Sequence, residues 1–372
     1  MPTPAKQEAS NAIWRGRLSR AHFSKAQRAM LTWIPRLNNS ISRSGNIFSR
    51  CTLHFTRFLK ATYYNENMSV VVVGSVAYDG VETPHGRVDR MLGGACTYIS
   101  LAASFFAPAK IVGVVGDDFA QEDYDFLASH GIDLEGLERV PGKTFFWQGV
   151  YSQDMNDRTT LRTDLNVFAD FQPKLPESYK SAPYLLMGNI QPALQNSVRR
   201  QMNGVRLAGG DTMNYWIQDF RAELLETIRA WDFLLINDSE ARMLSGENNL
   251  KKAAAAILAM GPNTLVIKRG EYGAVLFRPD GHFMVPGYLL EQVFDPTGAG
   301  DCFAGGFVGY LAERGFDLKN GDIDHKELSR AVIYGSVMGS FCCEKFGVDR
   351  FRTLTRAEVD ARFQEFRDFT GF

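Results

Sequence analysis

The residues best placed for chemistry lie in the run Phe294-Asp295-Pro296-Thr297-Gly298-Ala299-Gly300-Asp301-Cys302. Gly298, Ala299 and Gly300 have almost no side chains, so their amides can approach a ligand closely. The apolar stretch from Cys302 to Leu311 predicts a helix that this run opens. Unpaired N–H groups and the positive end of a helix then converge on one spot, which is an anion site by geometry. Asp301 falls in the same turn. A carboxylate beside an anion cradle is useful when it acts on a neutral neighbour, and a base that takes the proton from a hydroxyl attacking a phosphate does that. The same pattern also reads as an ordinary helix start, with Asp301 as a cap and the glycines as turn residues.

The elements that must hold this turn follow from hydrophobic patterning. Val70–Val73 is a continuous β-branched run, and apolar runs recur at 110–115, 184–187, 233–236 and 264–267, which predicts strands buried on both faces. Between them lie helical periods, the clearest with Leu250, Ala253, Ala254, Ile257 and Leu258 on one face. Strands alternating with helices predict βαβ units around a mainly parallel sheet. Residues 144–151 and 159–163 break this alternation, and the polar turn between them predicts a hairpin standing off the main sheet.

The 372 residues carry 45% apolar and 22% charged side chains, an ordinary globular composition. The formal net charge of −1 offers no overall basic character for nucleic acid, and no apolar run is long enough to cross a membrane. The average conceals an asymmetry, since residues 1–67 hold eleven Lys or Arg and two acids, Glu8 and Glu66. This Ser-rich stretch has no core-forming period and reads as a basic, poorly packed extension ahead of a domain at 68–372. It fits an Arg-rich organelle-targeting peptide, a basic tail, or translated upstream sequence without function. Five cysteines without a Cys-x-x-Cys pair fit a reducing, cytoplasmic setting, and six scattered histidines give no metalloprotease pattern.

The run 295–301 resembles the C-terminal signature of the ribokinase-like sugar kinases, the phosphofructokinase B family. Other pieces follow in the family's order: Gly93-Gly94 ahead of a helical segment, Asn237-Asp238-Ser239-Glu240 after a buried strand, and Lys268-Arg269-Gly270-Glu271-Tyr272-Gly273. The resemblance extends from Met68 to about Phe351. It implies a three-layer α/β/α fold with a mainly parallel central sheet and a small β lid, formed near 79–92 and 144–170. It also implies an ATP- and Mg²⁺-dependent kinase. Asp301 matches the catalytic base, and the backbone of Gly298, Ala299 and Gly300 matches the anion hole. Asn237 and Glu240 match the pair that organises Mg²⁺ largely through water, as suits an ion that keeps much of its hydration shell. Lys268, Gly270, Gly273 and Thr297 match positions beside the nucleotide, and the small-residue segment from Ala331 to Cys343 matches the wall of the adenine pocket.

At the acceptor end Asp79, Gly93 and Gly94 match the contacts to sugar hydroxyls. Ala77 and Tyr98 depart from the pattern, standing where many sugar kinases of the family carry asparagine. Tyr98 has the character either to stack on an apolar ring or base, or to pack in the core. The expected acceptor is a sugar or sugar-like molecule, with a nucleoside as the alternative and a non-catalytic scaffold of the same fold as a second. Lids of this family often pair between subunits, which makes a homodimer the expected assembly.

Overall fold

A computed structural model of the chain describes residues 68–317 and 324–371. The expectation of a basic extension over residues 1–67 falls outside the described residues.

The described residues begin with β1 (Val70–Val73), β2 (Ala77–Thr83), β3 (Gly86–Gly93), α1 (Ala95–Ser104), β4 (Ala109–Val115), α2 (Gln121–Ser129) and β5 (Asp133–Arg139). Then follow β6 (Phe145–Tyr151), β7 (Arg158–Asp164), β8 (Tyr184–Met187), α3 (Pro192–Gln201), β9 (Leu207–Gly210), α4 (Asn214–Asp219) and α5 (Arg221–Ile228). The remainder comprises β10 (Phe233–Asn237), α6 (Asp238–Ser245), α7 (Leu250–Leu258), β11 (Thr264–Lys268), β12 (Ala274–Arg278), β13 (Gly281–Val285), α8 (Ala299–Glu313), α9 (His325–Cys342) and α10 (Arg356–Thr370).

Nine strands form one sheet in the order β13-β12-β11-β10-β9-β8-β1-β4-β5. All neighbours pair in parallel except β11 with β12 and β12 with β13. The apolar runs became strands because both faces of the sheet are covered. Along β1, Val70 and Val72 join a core with α1, α8 and α9, through residues such as Ile99, Phe307 and Val337. Val71 and Val73 join a second core with Val198, Leu224, Ala241 and Ile257 of α3, α5, α6 and α7. This is the three-layer arrangement that the alternating pattern predicts.

The four remaining strands form a separate sheet, ordered β3-β2-β6-β7, which is the small lid. Its middle pair, β2 and β6, runs parallel, and its outer pairs run antiparallel. The exposed edge strand β7 explains why residues 158–164 lack the apolar content of the main sheet. Among the described residues no helix is long and apolar enough to cross a membrane.

α8 carries the candidate base, and its fully buried Phe307 packs against Phe233 of β10 with ring centroids 5.8 Å apart. Phe307→Ala is expected to cost about 3–5 kcal/mol of stability through the cavity it leaves. A thermal melt of the purified variant checks this, and an unchanged transition would show that α8 is not anchored through this ring.

Candidate active site

The parallel strands end on one edge of the sheet, where ligands of open α/β folds bind. Asn237 ends β10, Lys268 ends β11 in register beside it, and Asp211 follows β9 directly. α8 opens towards the same edge.

The turn into α8 depends on Gly298, which caps the helix with φ of 79°. A side chain there would be strained by that left-handed conformation and would meet the ring of Tyr98 at 2.5 Å. The N–H of Ala299 donates to Pro296 O at 3.1 Å, closing the turn, and Cys302 N–H donates to Gly298 O at 2.8 Å. Among the described residues no acceptor takes the N–H groups of Gly298, Gly300 or Asp301. The open amides are therefore those of Gly298, Gly300 and Asp301, whereas the sequence pattern had included Ala299.

Asp301 stands half-buried in the first turn of α8. Burial raises its carboxyl above the ordinary range, while the charges of Lys268 and Arg158 pull it back down. Lys268 Nζ lies only 3.0 Å from where a side-chain carbon on Gly300 would sit, so the cation is directly behind the loop. The loop is tied in place by Asp295, which is fully buried and accepts from Thr297 N–H at 2.9 Å and Gly347 N–H at 3.0 Å. Thr297, expected beside the nucleotide, donates its hydroxyl to Tyr151 of the lid at 3.1 Å.

Asn237 and Glu240 form a capping box at the start of α6. The Asn237 side chain accepts from Glu240 N–H at 2.8 Å, and the Glu240 carboxylate accepts from Asn237 N–H at 2.8 Å. One oxygen of Glu240 remains for a hydrated cation. Asp211 stands nearby, and its Oδ1 is buried with no hydrogen-bond partner. Burial raises its carboxyl well above normal, Lys268 opposes that, and Asp301 and Glu240 add to it. An orphaned hard oxygen beside Glu240 suits a magnesium ion held partly through water. No group of three or more His, Cys, Asp or Glu side chains suited to enclosing a metal occurs among the described residues.

Gly270 and Gly273 flank the short 3₁₀ turn between β11 and β12. Arg269 N–H donates to Gly273 O at 2.8 Å, which closes it beside the end of β11.

Asp79 projects from β2 and is 5% exposed. Gly93 has to be glycine for this carboxylate to fit, because a side-chain carbon there would lie 2.0 Å from Asp79 Oδ2. Gly94 caps α1, and its N–H holds the acid down against burial and the charges of Asp295 and Asp301, which together raise it to about 7. Tyr98 is 1% exposed, with its ring beneath Gly298. That is the packing alternative: the ring supports the anion loop and presents no face to a ligand.

Three residues that sequence reasoning passed over belong to the same cleft. Asp211 follows β9 directly and belongs to none of the motifs that pointed to the site. Trp147 and Arg158 lie on the lid, where cross-strand register, unlike motif spacing, reveals a shared face. Asp79 pairs with Trp147, and Tyr151 pairs with Arg158, so these residues line one face of the lid sheet. A separate cavity of about 460 Å³, lined by Tyr78, Arg90, Asp118, Phe346 and Arg352 among others, contains none of the motif residues.

This three-layer fold, with its lid and glycine-rich helix mouth, is that of a ribokinase-like kinase. The chain belongs to the pfkB family of carbohydrate kinases, which residues 67–353 match. It is 32% identical over 255 residues to a cytidine kinase of Thermococcus kodakarensis, covering 66% of this chain and 90% of that protein. An inositol 3-kinase of Arabidopsis thaliana is 24% identical over 316 residues, covering 80% of each. Among solved structures, a nucleoside kinase of Burkholderia thailandensis in complex with inosine superposes with a TM-score of 0.61 and 23% identity, over 80% of this chain and 98% of that one. A ribokinase from Thermotoga maritima gives 0.63 and 21%, over 80% and 99%.

The raised pKa of Asp79 has a stability consequence with a definite sign. The folded chain binds this proton more tightly than the unfolded chain, so the stabilisation is full below the ordinary carboxylate range and is lost as pH rises towards about 7. The loss is of order 4 kcal/mol at about 1.4 kcal/mol per pH unit. Asp79→Asn, which carries no charge at any pH, is expected to melt higher than the parent at pH 8, with the gap closing towards pH 4. A parallel pair of melting curves at both pH values checks it; a gap independent of pH would show that Asp79 is not held against its charge.

Proposed function

We propose that this kinase transfers the γ-phosphoryl group of ATP to a hydroxyl of a nucleoside, with Asp301 as the general base. The observation that carries this reading is a carboxylate in the first turn of α8 beside open N–H groups of the same turn. Asp301 takes the acceptor's proton as its oxygen attacks, and the amides of Gly298, Gly300 and Asp301 receive the charge on the transferred group. Lys268 and the turn with Gly270 and Gly273 bind the nucleotide, and Thr297 steadies the loop through Tyr151. Asn237 and Glu240, with Asp211, would hold a hydrated Mg²⁺. That ion, when bound, neutralises phosphate charge.

The acceptor assignment rests on the lid. Asp79, with Gly93 and Gly94, takes ribose hydroxyls, and a buried carboxylate serving that purpose discriminates against analogues that lack them. Its cross-strand partner Trp147 is half-buried, with its ring lying over Gly149, where a side-chain carbon would meet it at 2.4 Å. A planar aromatic beside a hydroxyl-binding carboxylate matches a molecule with both a base and a ribose. The cytidine kinase relative supports the same choice. A free sugar uses only the carboxylate side.

ADP release from ATP is to be measured with cytidine, inosine, ribose, ribose 1-phosphate and inositol. Turnover on a nucleoside well above that on ribose is expected, whereas turnover on free sugars alone would overturn the acceptor assignment. Asp301→Asn should lower turnover on the preferred acceptor by about 10²–10⁴-fold or more while leaving ATP affinity nearly unchanged. Asn caps a helix nearly as well as Asp, so near-parental turnover in this variant would return Asp301 to a structural cap and sink the base assignment.

A further inference from the structure

From the lid hairpin we infer that Arg158 is a catalytic residue whose guanidinium binds the transferring phosphoryl group from the side opposite the α8 amides. This rests on the phosphotransferase reading and names a residue that the motif pattern does not include.

Four observations converge. Arg158 is the cross-strand partner of Tyr151, and it shares the lid face that carries Asp79 and Trp147. The hairpin is rigid at its tip: Ser152 N–H donates to Asp157 O at 2.9 Å, and Asp157 N–H donates to Ser152 Oγ at 3.1 Å. The hairpin is also fastened to the floor of the cleft at two points. Thr297 of the anion loop donates to Tyr151, and Asn156 Nδ2 donates to Glu271 Oε1 at 3.3 Å in the turn after β11. Finally, Arg158 forms no ion pair among the described residues, although its charge is felt by Asp79, Glu240 and Asp301 together. Its neighbour Arg162, by contrast, pairs with Asp164 at 2.5 Å.

A cation on the lid face shared with Asp79 and Tyr151, with the Tyr151 hydroxyl bonded to Thr297 of the anion loop, is within reach of a phosphoryl group passing between the base and the acceptor. A guanidinium offers five N–H donors in a planar fork, which suits phosphoryl oxygens better than an ammonium does. In the step itself the bond from phosphorus to the ADP oxygen breaks and the bond to the acceptor oxygen forms. The acceptor's proton goes to Asp301, and Arg158 keeps all of its protons. The alternative is that Arg158 only packs on Trp147, whose ring centre is 5.4 Å from the guanidinium carbon.

The test uses the full chain with Arg158→Met and Arg158→Lys. Met retains an apolar stem on Trp147 and removes the charge; Lys retains the charge and removes the fork. On the preferred acceptor, kcat is expected to fall about 10³-fold or more in the Met variant and less in the Lys variant. KM for ATP and the melting temperature should stay close to the parent's. A second readout needs no acceptor: magnesium with aluminium fluoride, a mimic of the transferring group, should tighten ADP binding to the parent chain, and the Met variant should lose that gain while binding ADP alone normally. A Met variant with kcat within about threefold of the parent and an intact fluoride effect would overturn the assignment. So would losses in kcat that track a lower melting temperature and are not eased by Lys. If the parent phosphorylates nothing in the panel, the proposed acceptor class fails, and the fluoride measurement still decides the role of Arg158.

Discussion

One electrostatic constraint governs the cleft: Asp79, Asp211, Glu240, Asp295 and Asp301 are gathered around it, and burial raises the pKa of every one. Such a cluster is tolerable only if each carboxylate has donors or cations near it. Asp295 is satisfied by two backbone N–H groups and serves as an internal fastening. Glu240 is satisfied in part by the capping box. Asp79 receives the N–H of Gly94, and Asp211 and Asp301 depend on Lys268. Much of the local backbone serves these needs. The glycine at 93 leaves room for a carboxylate, and the left-handed glycine at 298 makes the turn that opens α8.

The fold meets this constraint by placing loops at the ends of parallel strands. β9, β10 and β11 end side by side, which brings Asp211, Asn237 and Lys268 together although they are far apart in sequence. α8 is then pressed onto the sheet by Phe307 and neighbouring apolar residues, so its first turn faces the same edge. The rigidity of that floor comes from burial on both faces of the sheet, and not from the polar groups that perform the chemistry.

The strands β1, β8, β10 and β11 were legible as apolar runs because a parallel sheet covered on both sides demands them. The helix mouth at 298–301 was legible because small residues, a carboxylate and an apolar helix stood in one short run. Tyr98 was ambiguous, since an aromatic on an amphipathic helix is compatible with either stacking or packing; the close approach of its ring to Gly298 decides for packing. That Pro296 O takes the N–H of Ala299 was not legible, because motif spacing does not say which amide a tight turn consumes. Trp147 and Arg158 were not legible at all. Their common face depends on strand register, and β7 carries a shift relative to β6 between its two ends that local sequence does not announce.

The cleft is divided between two separate sheets. The floor carries Asp211, Glu240, Lys268 and Asp301, while the roof carries Asp79, Tyr151 and Arg158. The complete charge arrangement therefore exists only where the two sheets meet. Several of the contacts joining them there are single hydrogen bonds: Tyr151 with Thr297, Asn156 with Glu271, and Thr83 Oγ1 with Phe294 O at 3.0 Å. Each such bond is worth about 0.5–1.5 kcal/mol net, which is the same scale as the contacts a bound ligand makes with both layers. A ligand that bridges roof and floor therefore adds contacts on the scale of those that already join the two layers. A roof over the cleft also keeps out water, which would otherwise compete as the acceptor and screen the cations from the transferred group. Placing one cation in the floor and another in the roof links these effects, because the two positive charges share a site only where the layers that exclude water meet.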